Sequence, residues 1–117
     1  QLQQQEATKS MEKVMADQQA ANTKLEAQAN YNNQMSLLQT ELSQYQVNSD
    51  SFAQEIQVLT DQIAQLDPES DANLIASLTV QKQVAEVKKK SFDNKVSETQ
   101  VAIKKLKESQ GGNADGL

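Results

Sequence analysis

The chain has no cysteine, histidine, arginine or tryptophan among its 117 residues, and a single proline. Without Cys and His it lacks the usual zinc ligands, the thiol nucleophile, the neutral-pH proton shuttle and any disulfide. Most enzyme chemistries lose their best candidates with them. Aromatic side chains are limited to Tyr31, Tyr45, Phe52 and Phe92, too few to wrap a wide apolar pocket. No apolar run approaches the roughly 20 residues needed to span a bilayer. Carboxylates such as Asp50 with Glu55, or Asp67 with Glu69, have no spacing suited to acid-base work, a calcium loop or a two-metal site. There is no phosphate-binding glycine loop. The expectation is a protein that is not an enzyme, with no catalytic, metal or cofactor-binding residues and no cofactor.

What the sequence does carry is a sustained three-four spacing of apolar residues: Met35, Leu38, Leu42, Tyr45, a gap at Ser49, then Phe52, Ile56, Leu59, Ile63 and Leu66. This keeps a narrow stripe on one side of an α-helix, as in a coiled-coil seam, and such a stripe needs a partner. Nineteen Gln residues add a polar, uncharged background that is compatible with helix.

The only proline, Pro68, follows Asp67. Proline disfavours the α conformation at the residue before it, so a long helix is expected to stop near Leu66 or Asp67. Ser70 or Asp71 then offers a side-chain oxygen to cap a second helix. That helix is expected from about Asp71 to Ser109, where Gly111 and Gly112 supply a stop. Along it Ile75, Leu78, Ala85, Phe92, Val96, Ile103 and Leu106 repeat the three-four spacing, with Lys82, Lys89 and Thr99 as polar members and Leu74 beside them on the helical wheel. The lysine stems are expected to pack while their charged ends reach solvent and help to fix register.

A turn centred on Ser70 and Asp71 sets residues whose numbers add to about 141 side by side, so that the second stripe answers the first layer by layer. Charge supports the pairing. Residues 1–70 hold three Lys against ten carboxylates, whereas residues 71–109 hold eight Lys against five. The run Lys88-Lys89-Lys90 is expected beside Asp50, Ser51 and Phe52, with Glu55 one turn away. Nearby acids, no stacking aromatic in the run, no Arg and a pI near 4.6 argue against reading it as a nucleic-acid site.

Pairing exhausts the second helix opposite Asn32, leaving residues 1–31 as an N-terminal helical arm that is either frayed or held by another subunit, with residues 28–33 a weak point for helix. The domain reading is an arm at 1–31, an antiparallel hairpin at 32–109 with its turn at 67–73, and a flexible tail at 110–117. The fold class is all-α: an antiparallel two-helix coiled-coil hairpin with a long arm, as part of a larger helical assembly. Candidate partner-facing residues are Met11, Val14, Met15 and Leu25 on the arm, and Val80, Val84 and Val87 on the second helix, with Ala102 further along.

The plan of helix, Asp-Pro turn and helix resembles the hairpin subunits of bacterial secretion needles and filaments, on Asp67-Pro68 and the following Leu74. The expected function is that of a structural or assembly subunit acting through helix-helix contacts, in a secreted or filamentous bacterial assembly. Its partner is itself or another helical protein, with a homo-oligomer favoured and neither nucleic acid nor a membrane span involved. The Gln, Asn, Ser and Thr content favours an extracellular or secreted location over a cytoplasmic one. The competing expectation is an intracellular adaptor, chaperone or scaffold module whose arm binds a different protein.

Overall fold

The computed structural model describes the backbone of residues 2–115 and the side chains of residues 5–110. Helix α1 spans Leu2–Ala64 and helix α2 spans Ala72–Asp115, with no strand among the described residues. The fold is all-α, and the two helices pack against each other as a hairpin.

The connection follows from Pro68 and two aspartates. Asp67, forced out of the α region by the proline after it, ends the helical path, and the turn of α1 before it tightens. Gln65 N–H donates to the Gln62 carbonyl at 3.2 Å and Leu66 N–H to that of Ile63 at 3.1 Å, so α1 stops at Ala64, short of the expected Leu66 or Asp67. Asp67 Oδ1 accepts the Glu69 amide at 2.9 Å, Asp71 Oδ2 accepts the Asp67 amide at 3.0 Å, and the Asp67 carbonyl accepts the Asp71 amide at 2.9 Å. The Asp71 carbonyl takes the amide of Ile75 at 2.9 Å, beginning α2. For Asp71 the capping expectation is corrected: its side chain turns back to the turn's own exposed amide rather than forward to α2.

At its far end α2 runs through Gly111 and Gly112 to Asp115 instead of stopping at Ser109. Glycine in a helix costs about 1 kcal/mol and does not forbid it. The last two residues of the anticipated tail, 116 and 117, lie outside the described residues. Residues 28–33, the anticipated weak point, are helical throughout, with Gln28 Nε2 donating to Asn32 Oδ1 at 3.2 Å.

Two units divide the chain, Gln1–Ser36 and Leu37–Leu117. In the first, every described side chain from 5 to 30 is exposed, Tyr31 is half-buried and Met35 is buried. In the second, Leu38, Leu42, Tyr45, Phe52, Ile56, Ile63 and Leu66 of the α1 side are half-buried, and Leu59 is buried at 6 % exposure. Facing them, Ala85 is buried at 2 % exposure, while Ile75, Leu78, Phe92, Val96, Ile103 and Leu106 are half-buried. Ala85 is the most completely buried of these, and most large side chains stay half-buried, because a lone helix pair covers only what lies between its axes and leaves the flanks of large side chains in water.

Candidate functional site

Polar residues within the packed face of the second unit are satisfied locally. The Thr60, Thr79 and Thr99 hydroxyls each donate at 2.7 Å to the carbonyl four residues earlier, of Ile56, Ile75 and Lys95. This internal bond lets a hydroxyl sit in a helix-helix contact without a cross-helix partner. Ser49 differs, because its hydroxyl reaches across and donates to Asp93 Oδ1.

Around that bond the helices meet through rings. Phe92 lies 5.8 Å from Phe52, nearly parallel at 15°, and 6.3 Å from Tyr45, tilted by 37°. Phe92 thus bridges the rings on either side of Ser49, whose small side chain leaves it room. Lys88 Nζ stands 5.8 Å from the Phe52 centroid and Lys95 Nζ 5.3 Å from that of Tyr45, within cation-π range. The residue numbers in each of these five cross-helix pairs add to within about four of 141.

The ion pairing differs from expectation. Lys89 Nζ binds Asp93 Oδ2 at 2.8 Å, four residues along its own helix, and not Asp50 or Glu55. Among the described residues no ion pair links α1 to α2. An i,i+4 pair needs no adjustment between helices, and Lys88, the neighbour best placed to reach across, lies over a ring instead. Lys82 and Lys89 are both half-buried. The Lys89 ammonium, and after it the Ser49 hydroxyl, hold the Asp93 carboxyl below its usual range.

Outside the packed face, Met11, Val14, Met15 and Leu25 are exposed in the first unit, and Val80, Val84 and Val87 in the second. Two placements on α2 are corrected. Leu74 is half exposed, since it flanks the packed stripe rather than belonging to it. Ala102 is half-buried beside that stripe, and the outward apolar residue there is its neighbour Val101. The α1 side of the second unit adds Leu37, Val47 and Val58, exposed apolar residues that the sequence reading overlooked. Their signal was available as apolar residues ten and eleven apart, always off the main stripe.

No family model, characterised protein or solved structure matches this chain. No helix among the described residues is long and apolar enough to cross a membrane, and these residues contain no group of three or more carboxylates that could hold a metal ion. At the helix contact Lys89 pairs with Asp93, and Asp93 accepts from Ser49 across the two helices. Outside the packed face, the described surface carries exposed apolar side chains on otherwise polar helices.

Proposed function

We propose that this chain is a non-enzymatic structural or assembly subunit that acts through helix-helix contacts, in a secreted or filamentous bacterial assembly and as a homo-oligomer. One observation carries the reading: the second unit packs its main apolar stripe internally, yet keeps large apolar residues on the outer faces of both its helices. Apolar residues facing water at intervals along helices are the kind of surface that other helices cover.

Sedimentation of the chain over a range of concentrations is the test. Growth into large assemblies is expected, and a small species that stays small as concentration rises sinks the reading. The exposed arm face of Met11, Val14, Met15 and Leu25 favours a second reading, an intracellular adaptor, chaperone or scaffold module that offers this helix to the groove of another protein. That module remains small until its partner is added.

A further inference from the structure

With no Cys and no His in the chain, its three methionine thioethers are the soft donors it holds for a metal ion. The expectation of no metal-binding residues was drawn from Cys, His and carboxylates, and thioethers stand outside it. Met35 is buried at 9 % exposure, whereas Met11 and Met15 are exposed at 66 % and 60 %. Both of these lie in α1, four residues apart. On a helix of about 3.6 residues per turn that spacing rotates the second side chain only about 40° from the first and sets the two β-carbons about 5–6 Å apart on one face. Together with Ser10 and Val14 they line one shallow depression in the helix surface. The surroundings are close to neutral, since residues 5–18 carry Glu6, Glu12 and Asp17 against Lys9 and Lys13, a net −1. Among the described residues no group of three or more carboxylates is gathered there to compete for a hard ion.

We propose that Met11 and Met15 form a two-coordinate thioether site for a soft monovalent cation of the copper(I) class. A metal-sulfur bond is about 2.3 Å long, so a linear sulfur-metal-sulfur unit spans about 4.6 Å. Methionine side chains that start about 5–6 Å apart, each turning about three bonds, reach that separation without moving the backbone. Each sulfur donates one lone pair to the ion. No proton leaves, because a thioether has none, and no electron is transferred. Thioethers select a soft ion over calcium, magnesium or zinc, which take oxygen, nitrogen or thiolate. By tying residue 11 to residue 15 the ion also closes one helical turn in a segment, residues 5–30, whose described side chains are all exposed. Binding therefore stabilises helix in the arm.

The test titrates the full-length chain with silver(I), a redox-stable stand-in for copper(I), in chloride-free buffer, and follows the methyl-labelled methionines by NMR. The Met11 and Met15 methyl signals are expected to shift together and saturate at one ion per chain while that of Met35 stays in place, and circular dichroism should show a gain in helix. Met11→Leu and Met15→Leu should each weaken binding at least about tenfold, since a single thioether is left to hold the ion. Met35→Leu should bind as the unaltered chain does. Leu keeps the apolar bulk and helix propensity of Met, so a purely apolar role of these side chains survives the exchange and only a role of the sulfur is lost. An unaltered chain that does not bind at micromolar silver(I) overturns the proposal. So does binding by either arm variant as tight as that of the unaltered chain, or an equal loss on Met35→Leu.

Discussion

Residues 5–30 and residues 37–110 are both helical and rich in polar residues, yet none of the described side chains of the first group is covered, while the second buries or half-buries a full stripe. The difference lies in the partner. Both contain apolar residues at helical intervals, but only the second has an answering stripe on the same chain, placed by a turn. Helix propensity accounts for the backbone of both segments; packing accounts for the burial of one.

Substitution in the two regions tests that contrast. The largest effect is expected from Leu59→Asp, which puts an unpaired carboxylate where the side chain is almost wholly covered. A loss of about 3–5 kcal/mol and a collapsed thermal transition by circular dichroism are predicted. Phe92→Ala removes the ring that bridges Tyr45 and Phe52 and should cost about 2 kcal/mol in the same melt, less than for a fully buried ring. Asp67→Ala strips the Glu69 amide of its acceptor in the turn and should cost about 1 kcal/mol.

A smaller effect depends on pH. Because the Asp93 carboxyl is held below its usual range when folded, its contribution is present above the unfolded aspartate value and is lost as pH falls through the folded one. Melting temperature should fall in that acidic window, and Asp93→Asn should flatten this part of the profile. Asp93 lies near solvent, so the change is expected to be modest and reduced by salt. The smallest effect is predicted for Leu25→Asp on the arm, within about 0.5 kcal/mol in a melt of the dilute chain. A loss there as large as that of Leu59→Asp would remove the distinction between the two regions.

The hairpin and its turn were legible in the sequence because they depend on strong local rules: the spacing from Leu38 to Leu66, the answering run from Ile75 to Leu106, and the single Pro68 between them. The cross-helix register near 141 followed from the position of the turn. Finer features were not legible. Asp71 was assigned to capping because sequence shows which oxygens are available, not which amide lies nearest in a folded turn. Lys89 was matched to carboxylates across the helices because overall charge balance does not distinguish them from Asp93 one turn away. Ala102 and Val101 are adjacent, and the drift of helical angle over a long segment decides which faces outward. Leu37, Val47 and Val58 were missed because the stronger stripe on the same helix accounted for its periodicity.

Amide hydrogen exchange of the full chain, read by mass spectrometry at a dilution where it is monomeric, tests most directly whether the second unit carries its own partner and the arm does not. The account predicts strong, cooperative protection over residues 38–64 and 75–106, with residues 5–30 exchanging close to the rate of an unprotected chain. Equal protection along the whole of α1, or no protection in either segment of the hairpin, would contradict it.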